Sequence, residues 1–294
     1  MPSRSMLHVE GLFDPTTCTM SYIVLDRGTM QCALVDSVLD FDPGSGRISH
    51  ASAERLAARV RALGASVQWI LETHVHADHL SAARHLQQAL GGRIGTSRHI
   101  TAVQAVFGSV FNAGHEFACD GRQFDHLFAD GEHFHIGCLQ ARALHTPGHT
   151  PACMTYLVCD AGDRAAFVGD TLSMPDSGTA RCDFPGGDAR TLFRSINRLL
   201  SLPPDTQLYM GHDDQPDGRD LQYASTVAEA RERNVHVRNG ISEEQFVALR
   251  HAQDAMLAPP GLILPAVQVN MRAGQLPEPE SNGTRYIKIP LSVA

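Results

Sequence analysis

Short apolar runs rich in β-branched residues alternate along this chain with segments whose apolar residues recur every three or four positions, which predicts strands and helices in turn. Residues 18–26 and 30–36 flank Arg27-Gly28-Thr29 and read as a hairpin, with Tyr22, Val24, Ala33 and Val35 giving partial alternation. Residues 40–46 form a Pro/Gly turn. Residues 52–63 form a helix with Ser52 as its cap and a stripe of Leu56, Val60 and Leu63. A buried strand is predicted over 67–71, a helix over 80–90 closed by Gly91-Gly92, a short strand over 93–95 and a helix after Arg98. The Gly-rich stretch 107–132 reads as loop. Residues 133–136 and 139–144 read as a second hairpin, 154–159 and 165–168 as strands, 188–200 as a helix, 207–210 as a strand and 242–257 as a long helix. The tail from Pro259, rich in proline and glycine, is expected to pack as irregular structure. Two β-rich blocks, each followed by helices, predict an α/β fold with two sheets face to face and helices outside.

Polar residues are not scattered at random over this frame. The strand over 67–71 runs into Thr73-His74-Val75-His76-Ala77-Asp78-His79, which puts three histidines and an aspartate on a strand-to-helix turn. The strand over 139–144 runs into His145-Thr146-Pro147-Gly148-His149, where Pro-Gly forces a turn. The strand over 165–168 ends at Gly169-Asp170, and that over 207–210 at Gly211-His212. A metal-type residue therefore follows a strand end four times, and such strand-end loops are where α/β folds build sites. Imidazole and carboxylate together suit zinc, iron or manganese.

Composition narrows the class. The chain of 294 residues is 43% hydrophobic and 19% charged, as in soluble globular proteins. Its net charge of −8 argues against nucleic acid or an anionic membrane surface as partner. No apolar run reaches the ~20 residues of a membrane span, and the N-terminus lacks the apolar core of a secretory signal. The seven cysteines include no Cys-x-x-Cys pair, which points to a reduced, cytoplasmic protein without a disulfide framework.

The ordered set His74-x-His76-x-Asp78-His79, His149, Asp170 and His212 resembles the metallo-β-lactamase superfamily over roughly residues 18–215. That resemblance implies an αββα sandwich with two mixed β-sheets, in a single domain over 1–294 with a C-terminal helix and irregular tail in 216–294. Two further segments, Gly178-Thr179-Ala180-Arg181-Cys182-Asp183-Phe184 and Val269-Asn270-Met271-Arg272, resemble the bacterial persulfide dioxygenase branch. Membership there implies one Fe(II), with zinc as the other candidate metal, on His74, His149 and Asp170. These would form a two-histidine, one-carboxylate triad with open positions for oxygen and substrate. His76, Asp78, His79 and His212 would support those ligands or mark a second metal site. The implied reaction oxidises the outer sulfur of glutathione persulfide with O2 to sulfite and glutathione. Arg181 and Arg272 are the candidates for holding the glutathione carboxylates, because a guanidinium fork suits a carboxylate. The alternative is a dinuclear thioester hydrolase of the glyoxalase II type. A homodimer is also expected.

Overall fold

The computed structural model describes residues 5–114 and 117–291; positions 1–4, 115–116 and 292–294 of the domain, loop and tail predicted above lie outside the described residues. The first half runs β1 (Leu7–Asp14), β2 (Thr19–Asp26), β3 (Gln31–Val35), β4 (Val38–Asp42), β5 (Arg47–Ser49), α1 (Ala51–Leu63), β6 (Ser66–Leu71), β7 (Leu80–Ser81), α2 (Ala83–Leu90), β8 (Arg93–Ser97), α3 (Ile100–Val110) and β9 (His126–Phe128). The second half runs β10 (His133–Ile136), β11 (Leu139–His145), β12 (Met154–Asp160), β13 (Asp163–Gly169), α4 (Ala189–Leu200), β14 (Gln207–Met210), β15 (Ala224–Thr226), α5 (Val227–Arg233), α6 (Glu243–Asp254) and α7 (Ile263–Asn270).

Two mixed six-stranded sheets result, ordered β1-β2-β3-β6-β8-β9 and β10-β11-β12-β13-β14-β15. Their facing sides interleave Tyr22, Val35, Trp69, Phe128, Tyr156 and Phe167 in one apolar layer. Fully burying each such side chain contributes about 1.5–3 kcal/mol. The outer side of the first sheet is covered by α1, α2, α3 and α7 through Leu34, Leu56, Leu86, Val103 and Val267. The outer side of the second is covered by α4, α5 and α6 through Val168, Leu192, Ile196, Ala230 and Phe246. This αββα sandwich positions the site by register. β3 runs parallel to β6, and β13 parallel to β14, so within each pair the carboxyl ends point to the same edge. Cross-sheet bonds tie the two edges together: the Met154 amide donates to the Thr73 carbonyl at 2.8 Å, and the Tyr156 hydroxyl to the Glu72 carbonyl at 3.0 Å.

The described structure departs from the sequence expectations in several places, and it adds β1, β4, β5, β15 and α5 to the expected elements. α1 begins at Ala51, and Ser52 caps nothing: its hydroxyl donates to Asp40 at 2.7 Å, with Asp14 a competing acceptor at 3.1 Å. Leu80 and Ser81 pair with β4 as a short strand before the helix starts at Ala83. The stretch expected as loop carries the end of α3 and the strand β9. The tail expected to be irregular contains α7, whose Ala266, Val267 and Val269 are buried in the first core. All seven cysteines are free, and among the described residues no helix is long and apolar enough to cross a membrane.

Candidate metal centre

The first imidazole is oriented by a relay that starts one strand away. Asp36, just past the end of β3, accepts from the Thr73 amide and from the Thr73 hydroxyl, both at 2.8 Å. With its one proton given to Asp36, the Thr73 oxygen accepts from His74 Nδ1 at 3.0 Å. That fixes the tautomer and leaves the His74 Nε2 lone pair facing the site. His149 is set the same way from a different segment. Its Nδ1–H donates to the Arg181 carbonyl at 2.7 Å, and the Phe184 ring meets it edge-on at 5.2 Å. The turn that delivers His149 needs glycine: Gly148 has φ of +137°, and a Cβ there would lie 2.3 Å from the backbone of Leu192 in α4.

Asp170 follows β13 directly. Its Oδ2 lies 3.7 Å from His74 Nε2 and 3.6 Å from His149 Nε2, and its Oδ1 lies 3.3 Å from His212 Nε2. One donor atom from each of His74, His149 and Asp170 falls within 4.8 Å of the others. Burial works against the carboxylate of Asp170, yet the neighbouring imidazoles, His212 foremost, hold its pKa down at about 2. Burial, with the charge of neighbouring His76, pushes the pKa of His74 well below the usual histidine range. The triad thus combines an anionic carboxylate with a neutral imidazole at His74, the protonation states metal ligation requires.

His76, Asp78 and His79 form a second group with donor atoms equally close together. His79 Nδ1 donates to Asp78 Oδ2 at 2.9 Å, and His212 Nε2 lies 3.6 Å from the same oxygen, so His212 stands between Asp78 and Asp170. His76 also belongs to a third group with Asp36 and Glu72: its Nε2 lies 3.1 Å from Asp36 and 3.7 Å from Glu72. Burial opposes its charge, but Asp36 prevails and raises the His76 pKa to about 10. Burial lifts Glu72 to about 8.

The two arginines occupy different surroundings. The Arg181 guanidinium is engaged by Asp183 through two nitrogens, at 2.6 and 2.8 Å, and by the Ala258 carbonyl at 2.7 Å, so the segment presents its carbonyl, not its charge, to His149. The Arg272 guanidinium lies over the Phe117 ring at 4.3 Å and lines a cavity of about 330 Å³ with Phe111, Glu278, Tyr286 and Lys288. Residues that sequence reasoning did not assign to the site also converge here. Asp36 was visible only as a strand terminus. Glu72 immediately precedes the histidine turn. Asn270 donates to the carbonyls of His76 at 2.9 Å and His79 at 2.8 Å.

The donor set fits a metal ion. His74 Nε2, Asp170 Oδ1, His79 Nε2 and His76 Nδ1 are buried without a hydrogen-bond partner among the described residues. Leaving such atoms unsatisfied costs about 1–3 kcal/mol each, so buried orphan atoms within these donor groups call for a ligand. In His74 and His149 the other ring nitrogen is already held, as outer partners hold metal-ligating histidines.

Residues 15–212 match the metallo-β-lactamase superfamily. The chain is 65% identical over 289 residues to a "probable metallo-hydrolase" of Burkholderia pseudomallei, covering 96% of this chain and 98% of that one. It is 44% identical to Glyoxylase B2 of Dictyostelium discoideum, covering 94% of each chain. Against the human mitochondrial persulfide dioxygenase ETHE1 it is 31% identical, covering 90% of this chain and 87% of that one. A β-lactamase hydrolase-like protein of Xylella fastidiosa is 49% identical and longer, so this chain spans 64% of its length. The crystal structure of ETHE1 from Myxococcus xanthus superposes with a TM-score of 0.72 at 28% identity, covering 91% of this chain and 100% of that one. With its fold, its ordered set of histidines and aspartates and these similarities, the chain belongs to the metallo-β-lactamase superfamily.

Proposed function

We propose that this chain is a persulfide dioxygenase that holds one Fe(II) on His74, His149 and Asp170. It converts glutathione persulfide, O2 and water to sulfite and glutathione. The observation that carries the reading is the direction in which His76 is engaged. Three donors converge at Asp170, whereas the fourth candidate, His76, turns its Nε2 to Asp36 at 3.1 Å as an ion pair. An imidazolium held by a carboxylate must lose its proton before it can ligate. Similarity to the human persulfide dioxygenase and to the Myxococcus structure supports the same branch.

When bound, iron supplies the redox chemistry between a persulfide anion and dioxygen. The chain supplies the rest. Thr73 and the Arg181 carbonyl hold the two imidazoles in their ligating tautomers. Asp170 contributes the one negative charge of the triad, so a divalent ion held there would keep a net positive charge for an anionic sulfur. His212 holds a proton at Nε2, 3.3 Å from Asp170, where it can be passed to the departing thiolate. Phe184 shields one side of His149 from water. Arg272 meets a carboxylate of the glutathionyl part, and Arg181 acts through its carbonyl.

A second reading, a dinuclear thioester hydrolase, is favoured by the intact His76–Asp78–His79 group and by similarity to Glyoxylase B2. Metal content separates the two readings. About one iron per chain after anaerobic reconstitution supports the dioxygenase; two metals per chain, with His76 and His79 both needed for the second, supports the hydrolase.

A further inference from the structure

The helix α7 lies beyond residues 15–212, yet it reaches the centre of the site. Its last residue, Asn270, is 4% exposed. Both donors and the acceptor of its amide are used on one short piece of backbone. Nδ2 donates to the His76 carbonyl at 2.9 Å and to the His79 carbonyl at 2.8 Å, while Oδ1 accepts from the Ser81 amide at 2.7 Å. Ser81 continues the chain of contacts, its hydroxyl donating to Glu72 at 2.7 Å. The three bonds of Asn270 therefore bracket Ala77, Asp78, His79 and Leu80, the half of the histidine turn farthest from the Asp36–Thr73 relay.

The helix that presents Asn270 is anchored without it. Gln268 donates to the Leu264 and Lys288 carbonyls at 2.8 and 2.9 Å and accepts from the Lys288 amide at 3.0 Å. Gln104 donates to the Met271 carbonyl at 2.9 Å. Gly274 packs so close to the Ser81 carbonyl that a Cβ would lie 2.7 Å from it. A rigid support thus holds a fully engaged amide against the irregular backbone that leads into β7.

We propose that Asn270 is a positioning residue for the metal centre. By fixing the His76 and His79 carbonyls it holds the turn in the one shape that brings His76, Asp78 and His79 together and keeps Asp78 beside His212. This rests on the reading that the histidine turn serves a bound metal. A side chain that orients the groups around a metal typically sets ten- to a hundredfold of its affinity.

The test uses Co(II) as probe, because its visible absorption reports coordination geometry. Its affinity is measured by chelator competition on the metal-free full chain, alongside thermal unfolding. Asn270→Ala and the isosteric Asn270→Asp, which lacks the two donors, are expected to weaken Co(II) binding by about tenfold or more and to change its absorption bands. Gln268→Ala removes three partly buried bonds from the same helix without touching the turn. It is expected to lower the unfolding temperature while leaving Co(II) affinity and spectrum unchanged. Should Asn270→Ala not fold, Asn270→Asp carries the comparison. Wild-type affinity in the folded Asn270 variants, or an equal loss in Gln268→Ala, would overturn the proposal. A wild-type chain that binds no Co(II) would overturn the metal reading itself.

Discussion

The Nδ1–H of His149 donates to the backbone carbonyl of Arg181 at 2.7 Å, which couples an imidazole of the triad to the loop between β13 and α4. The loop is held from behind. Asp254 accepts from the Cys182 amide at 3.0 Å, Arg250 donates to the Thr179 carbonyl at 2.9 Å, and Asn234 to the Gly178 carbonyl at 2.9 Å. Arg181→Ala keeps the carbonyl but frees it from the Asp183 and Ala258 contacts. Metal affinity and kcat should fall together by several-fold, with KM nearly unchanged. A rise in KM alone, with normal metal binding, would instead make the guanidinium a substrate contact. Stability should change by less than about 1 kcal/mol, because the ion pair is partly exposed.

Asp36 links three parts of the site: Thr73, through it His74, and His76 at 3.1 Å. Asp36→Asn retains one acceptor oxygen and leaves a buried imidazole without its counter-charge. Urea unfolding of the metal-free protein should show a loss of about 3–5 kcal/mol. A loss below about 1 kcal/mol would mean that the pair does not hold the turn.

His236 gives the behind-site network a pH dependence. It is buried, and its Nδ1 accepts from the Thr179 amide at 3.0 Å. Burial, with the charge of Arg250, depresses its pKa from 6.5 to about 4. A depressed folded value means the contribution is fully present above about pH 6.5 and is lost as pH falls toward 4, at most about 3 kcal/mol. Chemical denaturation at pH 7 and pH 4.5 should show a smaller acid loss in His236→Asn than in the wild type. Equal losses would remove His236 as the titrating group.

The positions of the site histidines and aspartates were legible because each stands just past a strand whose apolar pattern is strong, as at Leu71 and Val168. Their supports were not. Asn270 sits nearly 200 residues from the turn it holds, and no local pattern encodes that meeting. Helix α7 was hidden because its apolar residues surround it on all sides and Pro265 interrupts the reading, whereas burial against β7 and the first core makes it a helix. β1 escaped because it is a half-buried edge strand interrupted by Gly11. Ser52 looked like a cap, but two carboxylates compete for its hydroxyl.

Arg272 is assigned a glutathione carboxylate, in a cavity shared with Tyr286 and Lys288. Arg272→Ala should raise KM for glutathione persulfide about tenfold or more, in line with about 1.5–3 kcal/mol for a hydrogen bond to a charged group. Metal content should be unchanged. An unaltered KM would separate this cavity from the substrate.

Oxygen uptake on adding glutathione persulfide to the Fe(II)-loaded protein, with S-lactoylglutathione as the parallel substrate, separates a dioxygenase from a thioester hydrolase. A dioxygenase gives rapid uptake, with one O2 consumed per sulfite formed, and Asp170→Ala abolishes it. No uptake, together with steady hydrolysis of the thioester, would contradict the dioxygenase reading and make His76, Asp78, His79 and His212 ligands of a second metal.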